Sequence, residues 1–222
     1  MSLARIETAA NARGLAVLGG FHPEAGDDAP EGCGTLMLLG PEEPGFWSRV
    51  TASPEWQDGK PDPIDRWSRR VIDDLAAGLG AGTLYPFGPP PYLPFFRWAE
   101  RTGRIHASPI RLLVHDRAGL LVSFRGALAL SERIALPEAP PSPCESCHSK
   151  PCLTACPVAA FDGRSYDVAA CKSHLDSAAG KDCMGSGCKA RRSCPVSETY
   201  PRLPQHSAYH MAIFKGQSRC AD

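Results

Sequence analysis

Eight of the ten cysteines in this chain of 222 residues lie between positions 144 and 194. The first four follow the pattern C-x2-C-x4-C-x3-C-P, which ends at Cys156-Pro157, and the last three follow C-x4-C-x5-C-P, which ends at Cys194-Pro195. Cysteine runs that close with Cys-Pro are typical of proteins that hold two [4Fe–4S] clusters, since each cluster needs four thiolates. The pattern therefore predicts a ferredoxin-like segment with two [4Fe–4S] clusters.

In two-cluster ferredoxins the fourth cysteine of each run binds the other cluster, and this crossing divides the thiolates into two sets. The first set, for cluster 1, is Cys144, Cys147, Cys152 and Cys194. The second set, for cluster 2, is Cys156, Cys171, Cys183 and Cys188. The common bacterial run has two residues between its second and third cysteines, whereas this chain has four at 148–151. That longer loop can still reach the cluster.

Zinc and disulfide bonds are the alternatives for so many cysteines. Zinc sites also use four thiolates, in paired C-x2-4-C knuckles, and would make this segment a zinc-stabilised interaction module. Disulfides suit small secreted chains, and the first residues, MSLARIETAANARG, lack the continuous apolar core of a secretory signal. The two Cys-Pro ends and the total of eight cysteines favour iron–sulfur clusters over both.

The charge and hydropathy of the chain argue against several classes of partner. Lys and Arg together number 24, as do Asp and Glu, so the formal net charge of +0 offers no case for binding nucleic acid or an anionic membrane. No apolar run reaches the ~20 residues of a membrane-spanning helix. We therefore expect a cytoplasmic protein with redox proteins as its partners, because a reducing cytosol suits cysteines used as metal ligands.

Prolines separate the cysteine-rich segment from the rest of the chain. The run PEAPPSP at 137–143 is typical of a stiff linker. We therefore predict a first domain at 1–136, a linker at 137–143 and a ferredoxin-like domain at 144–222.

Residues 1–136 show the patterns of helices and about five strands. Apolar residues recur at three- and four-residue steps over 63–79, and a shorter helical pattern covers 2–13. Apolar runs predict strands at 15–18, 35–39, 83–87, 112–114, 120–122 and 127–130. The runs at 112–114 and 120–122 flank residues 116–119, which have turn chemistry. This mixture predicts an α/β or α+β layered domain.

Two residues of the first domain are candidates for binding a cofactor. His115 follows a strand beside the turn, where it either contacts a cofactor or belongs structurally to the turn. Arg125 interrupts an apolar strand, where it either clamps a phosphate or carboxylate or pairs with a core acid. Cys33 is expected to be a small buried filler, and Cys220 a free exposed thiol.

The chain resembles a known family in two places. Its cysteines at 171, 183, 188 and 194, and its segments LLVH-x3-G at 112–119 and FRGAL at 124–128, are similar to those of epoxyqueuosine reductase and its ferredoxin-containing relatives. The resemblance implies an amino-terminal domain akin to the cobalamin-processing flavin-reductase-like fold, which would bind a corrinoid, and two [4Fe–4S] clusters that deliver electrons to the cobalt. No segment matches that enzyme's catalytic aspartate, so the tRNA-modifying activity is not implied.

These features favour an iron–sulfur redox protein that transfers single electrons, with its catalytic residues unassigned. The first domain would then be a docking scaffold. The alternative is a corrinoid-linked reductase, an oxidoreductase in which the first domain binds cobalamin and the clusters reduce it. His115 and Arg125 are the candidate contacts to that cofactor.

Overall fold

The fold mixes α-helices with small antiparallel sheets, which confirms the mixed α/β class expected from the sequence. A computed structural model of the chain describes residues 1–216, so Cys220 lies outside the described residues. The strands are β1 (Leu15–Phe21), β2 (Thr35–Pro41), β3 (Gly82–Leu84), β4 (Ile105–Ala107), β5 (Leu113–His115) and β6 (Gly126–Leu130). The helices are α1 (Leu3–Asn11), α2 (Gly45–Thr51), α3 (Pro54–Gln57), α4 (Pro63–Leu79), α5 (Phe95–Arg101), α6 (Pro143–Ser146), α7 (Val168–Asp176), α8 (Lys181–Ser186), α9 (Lys189–Arg192), α10 (Pro195–Thr199) and α11 (Pro204–Lys215).

The chain divides into two units that each pack chiefly within themselves. Residues 1–105 and 123–140 form the first unit, and 106–122 belongs with the chain from 141 onward in the second. The chain changes unit inside the proline-rich run 137–143. The stretch 106–122, however, belongs to the second unit and not to the first domain in which the sequence analysis placed it. The reason is packing, because Ile110, Val114 and Leu120 are buried in one apolar cluster with Cys152 and Cys194.

A four-stranded antiparallel sheet of order β1-β2-β6-β3 lies at the centre of the first unit. Strand β2 pairs with β1 on one side and with β6 on the other, so that Met37 lies opposite both Gly20 and Leu128. All residues of β2 are buried, as expected for a strand covered on both faces. Strand β3 ends at Leu84, before the end predicted at 87, since Pro86 has no N–H to donate to a ladder.

Helix α4 has the bounds predicted from the apolar periodicity. Pro63 occupies its first turn, and Gly80 ends it with φ of 63°, a conformation that glycine adopts readily. Trp67 and Ile72 are buried on its apolar face. The ring of Phe46 from α2 packs edge-on against Trp67, with ring centroids 5.2 Å apart. The helix therefore contributes a core face to the first unit, as expected.

Of the two strands predicted at 112–114 and 120–122, only the first forms, as β5. Strand β5 pairs with β4, which the sequence analysis missed, and residues 120–122 are not a strand. His115 and Gly119 close a tight turn by exchanging backbone hydrogen bonds of 3.0 and 2.9 Å. The N–H of Leu120 then donates to the hydroxyl of Ser197 at 2.9 Å, so it is not available to a strand ladder.

Short helices and the connecting loops make up most of the second unit. Among residues 1–216, no helix is both long enough and apolar enough to cross a membrane.

Candidate metal centre

Short helical turns hold the first cysteine run. Cys144 lies in α6, whose first turn is capped by Ser142: its hydroxyl oxygen accepts the Cys144 N–H at 3.4 Å. Cys147 ends that helix, and Cys152 lies in a 3-10 turn at Pro151–Leu153. Between them, Lys150 adopts a left-handed backbone with φ of 40°. The four residues at 148–151 therefore form a tight reversal of the chain between Cys147 and Cys152.

Cys156 lies in the loop between the 3-10 turn and α7, and the other four cysteines lie in or directly before the short helices α7 to α10. Cys171 is in α7 and Cys183 in α8. Cys188 and Cys194 are the residues that immediately precede the first turns of α9 and α10. Pro195 suits the start of α10 because the missing N–H would have no partner inside the helix. The Cys-Pro ending of the second run is thus also a helix start.

One cavity of about 410 Å³ in the second unit is lined by all four cysteines of the first set. The first three come from residues 144–152 and the fourth is Cys194 from the other run. Ser108, Val114 and Leu120 line the same cavity, as does the reversal at 148–151. The structure therefore brings together the crossed set that the Cys-Pro spacing predicts.

The thiols of the first set lie close enough to interact electrostatically. Burial raises the pKa of Cys144, and the thiols of Cys194 and Cys147 raise it further, while the Lys150 ammonium lowers it. Burial likewise raises the pKa of Cys152, with added contributions from Cys144, Cys194 and Cys147. A cationic group among these thiols would favour the thiolate forms of Cys144 and Cys152, because it would oppose both burial and the charge of the neighbouring sulfurs.

The second set shows the same mutual interaction. Burial raises the pKa of Cys171; a hydrogen bond from Tyr166 lowers it, and Cys156 and Cys183 raise it. Burial also raises the pKa of Cys188, which Cys183 raises further. The thiols that act on Cys171 and Cys188 are thus members of the second set, although Cys156 and Cys188 pack against the same apolar cluster as Cys152 and Cys194.

The donor set has the kind and number of ligands that two clusters need. All nine cysteines among the described residues are free thiols. Ser108 is 4% exposed, and its hydroxyl, which has no hydrogen-bond partner within residues 1–216, belongs to the cavity of the first set. Within the same residues, no three His, Cys, Asp or Glu side chains are placed to hold one metal ion. A cluster differs from such a site because its four thiolates bind four different irons.

The two candidate cofactor contacts are both engaged in local structure. His115 is 2% exposed; its Nδ1 accepts the N–H groups of Arg117 and Ala118 at 3.2 and 3.1 Å, and its Nε2 lies 3.0 Å from Asp116. These contacts give it a structural role within its own turn. His115 belongs to the second unit and Arg125 to the first.

Arg125 pairs with an acid of the first unit. Its Nη1 lies 3.2 Å from Asp65 on α4, and its Nε donates to the carbonyl of Phe124 at 2.7 Å. Burial raises the pKa of Asp65, and Arg125 lowers it. The sequence left two roles open for Arg125, clamping a phosphate or carboxylate and pairing with an acid. The structure shows the pairing with an acid.

Sequence reasoning missed three polar residues near the thiols. Ser108 lies in a segment assigned to the wrong domain, and Tyr166 lies in a loop without a motif. Arg191 was one member of a locally basic stretch at 172–192, with no signal to distinguish it from its neighbours. The fold alone identifies Arg191 as the cation beside Cys188, where its charge and backbone N–H lower the pKa of that thiol.

Compared with known protein families, curated proteins and solved structures, the chain shows no match. Its candidate function therefore depends on the geometry of the two thiol sets.

Proposed function

We propose that this protein is an iron–sulfur redox protein that transfers single electrons. Its second unit is a ferredoxin-like domain with two [4Fe–4S] clusters, one on each cysteine set. The observation that carries the proposal is the single cavity lined by cysteines 144, 147, 152 and 194. A cysteine that crosses from one run to the other run's loop is the arrangement of two-cluster ferredoxins.

The chain's own residues would bind and shield such clusters. The eight thiolates are the ligands, and each bound cluster would supply storage for a single electron. Ile110, Val114 and Leu120 pack against the cysteines and limit the access of water to the first set. A dry, apolar shell of this kind controls the potential of a metal centre. The first unit would then serve as a docking scaffold for redox proteins.

Metal analysis of the protein purified without oxygen tests this proposal. We expect about eight iron and about eight sulfide per chain, from two [4Fe–4S] clusters. Electron paramagnetic resonance (EPR) after reduction with dithionite should show reduced [4Fe–4S] signals. A chain that purifies with zinc and without iron would contradict the proposal and identify a zinc-stabilised interaction module instead.

A corrinoid-linked reductase remains the alternative that the family resemblance suggests. Mixing the dithionite-reduced, desalted protein with hydroxocobalamin separates the two functions. A stoichiometric shift of the cobalt absorption bands, followed by cobalt reduction, would indicate that the protein binds and reduces a corrinoid. Oxidation of the clusters without a bound-corrinoid spectrum would leave electron transfer alone. The contacts of His115 and Arg125 lend the corrinoid function no separate support.

A further inference from the structure

Two histidine rings meet on one side of α11. His206 and His210 are four residues apart on this helix, so their side chains lie one above the other on the same face. Their Nε2 atoms are 3.1 Å apart, and their ring centroids are 5.0 Å apart with planes inclined at 46°. The ring of Tyr209 meets His210 edge-on, with centroids 5.7 Å apart. The fold thus brings two imidazole nitrogens close together beside the helix.

Close packing fixes α11 within the second unit. Gly187 lies between α8 and α9, and a Cβ at this position would come within 2.7 Å of the Ser207 side chain. His206, the neighbour of Ser207, is 1% exposed, whereas His210 is only partly buried. The pair of rings is therefore held by the protein at His206 and open to solvent at His210.

The distance between the two Nε2 atoms matches the bite of one metal ion. Imidazole nitrogens bind zinc at about 2.0–2.1 Å, so two such bonds would span 3.1 Å with an angle of about 100° at the metal. That angle lies between those of octahedral and tetrahedral sites. Histidines at i and i+4 on one helix face are also the pair that supplies two ligands in helical zinc motifs.

In the metal-free chain, the same distance is a hydrogen bond between two neutral rings. One Nε2–H then donates to the other Nε2. A metal ion needs a lone pair on both Nε2 atoms, so the donor ring would carry its proton on Nδ1 instead, and no proton need leave the pair. The hydrogen bond therefore keeps both rings aligned in the arrangement that an ion requires.

We propose that His206 and His210 form a two-histidine site for a divalent transition-metal ion of the Zn²⁺ and Ni²⁺ class. Imidazole suits these ions, whereas Ca²⁺ and Mg²⁺ take oxygen ligands. Water would complete the coordination, because within residues 1–216 no three His, Cys, Asp or Glu side chains are placed to hold one ion. The ion would link successive turns of α11 and stabilise the helix that packs on Gly187. The site uses none of the eight thiols and does not depend on the proposed function.

Equilibrium dialysis of the full chain, as purified without oxygen, against Ni²⁺ tests the proposal. Nickel and iron are measured in the same sample, which distinguishes nickel at the histidines from nickel that displaces iron at the thiols. His206→Gln and His210→Gln each remove one imidazole of the pair. His22→Gln is the matched control, because it removes an imidazole from the first unit, where its Nε2 lies 2.9 Å from the carbonyl oxygen of Ile134.

We expect the parent to bind one Ni²⁺ ion more than either variant of the pair. Each variant should weaken that binding by at least about tenfold, since even the outer-shell partners of a metal site are worth roughly 10–100-fold in affinity. His22→Gln should bind as tightly as the parent, and Zn²⁺ should compete for the same site. Bound Ni²⁺ should also raise the urea midpoint of the parent and leave that of His210→Gln unchanged, because only a folded α11 presents both ligands.

A parent that binds no more nickel than His206→Gln and His210→Gln would overturn the proposal and leave the pair as a hydrogen bond. An equal loss of nickel in His22→Gln would overturn it as well. If His206→Gln fails to fold, His210→Gln decides the outcome, because His210 is less buried. A parent without iron would overturn the proposed function alone, since the comparison between the histidine variants does not involve the thiols.

Discussion

The hydroxyl oxygen of Ser197 accepts the backbone N–H of Leu120 at 2.9 Å and lies where a Cβ on Gly119 would approach it to 2.4 Å. Ser197 is in α10, the helix that starts directly after Cys194. The turn at 115–119 is therefore packed against the helix whose start carries the crossing cysteine. This contact ties the 106–122 segment to the candidate metal centre.

Replacing Gly119 with alanine should destabilise the second unit. Gly119 has φ of 56°, which strains an L-residue, and the new methyl group would clash with Ser197. We expect a loss of about 1–3 kcal/mol in the free energy of unfolding, with reduced iron retention, measured by denaturation and metal analysis. Gly216→Ala is the control, because Gly216 also has positive φ but has nothing within 4 Å of an added Cβ. Equal losses in both variants would contradict a specific role for the Ser197 contact.

Paired cysteine substitutions should reveal the crossed division of ligands. Cys144→Ala and Cys194→Ala should each remove about half of the iron, and the double variant should lose no more than either single one, because both act on cluster 1. Combining Cys144→Ala with Cys156→Ala should remove nearly all of the iron, because the two residues belong to different sets. Iron per chain and EPR provide the measurements.

Cys33→Ala is the control for the cysteine series. Its thiol lies in the first unit and donates to the Thr35 carbonyl at 3.3 Å, so iron should be retained in full. If the Cys144/Cys194 double variant loses both clusters while each single variant loses one, the two residues serve different clusters.

Ser108→Ala should have opposite effects in the metal-free and cluster-loaded protein. The buried hydroxyl has no partner among the described residues, so removing it should leave the metal-free chain unchanged or stabilise it by up to about 1 kcal/mol. In the loaded protein, we expect the hydroxyl to donate to a sulfur of cluster 1. The variant should therefore lower the potential of cluster 1 and leave cluster 2 unchanged in a redox titration. An unchanged cluster 1 would show that the hydroxyl makes no such bond.

Acid should remove one ion pair from the first unit. Hydrogen bonding to Arg70 lowers the pKa of Glu55 to about 2, from an ordinary value of 4.5. Because the folded-state pKa is the lower one, the pair stabilises the fold fully above pH 4.5, and the contribution is lost as pH falls towards 2. Glu55→Gln should therefore cost up to about 1 kcal/mol at pH 7, less than half of that at pH 3 and nearly nothing at pH 2. The value at pH 7 is small because the Arg70 side chain is 55% exposed.

Tryptophan fluorescence during urea unfolding measures this effect. All four tryptophans lie in the first unit, so the signal reports the unfolding of the unit that contains the ion pair. Glu31→Gln, at an exposed carboxylate, is the matched control. A destabilisation of equal size at all three pH values would show that charge is not the cause.

Elements with a strong local pattern could be predicted from the sequence. Helix α4 follows from its apolar repeat, with Pro63 at the start and Gly80 at the end. Strand β2 follows from its run of apolar residues. These two patterns succeed because neighbouring residues determine the structure that forms. The division of the eight thiols into two sets of four stays a prediction from spacing, and the four cysteines of the first set line one cavity.

Features that depend on contacts distant in sequence could not be predicted. The sequence of 120–122 suits a strand, but the Leu120 N–H is taken by Ser197, far along the chain. The same long-range packing moves Ser108 into the second unit and so beside the cysteines. Nothing in the local pattern around Tyr166 or Arg191 distinguishes these residues from an ordinary loop tyrosine and a surface arginine.

The interrupted sequence of the second unit has a consequence for its synthesis on the ribosome. The first unit is complete once residue 140 has left the exit tunnel, and domains generally fold as they emerge. The nascent segment 106–122 emerges earlier, but its apolar residues at 110, 114 and 120 gain their partners only when the cysteine-rich stretch has been translated. A ribosome stalled just after residue 140 has left the exit tunnel should thus present a folded first unit, with 106–122 as an exposed apolar loop that is sensitive to proteases. Under the proposed function, iron would then be delivered among the last events in the maturation of this protein.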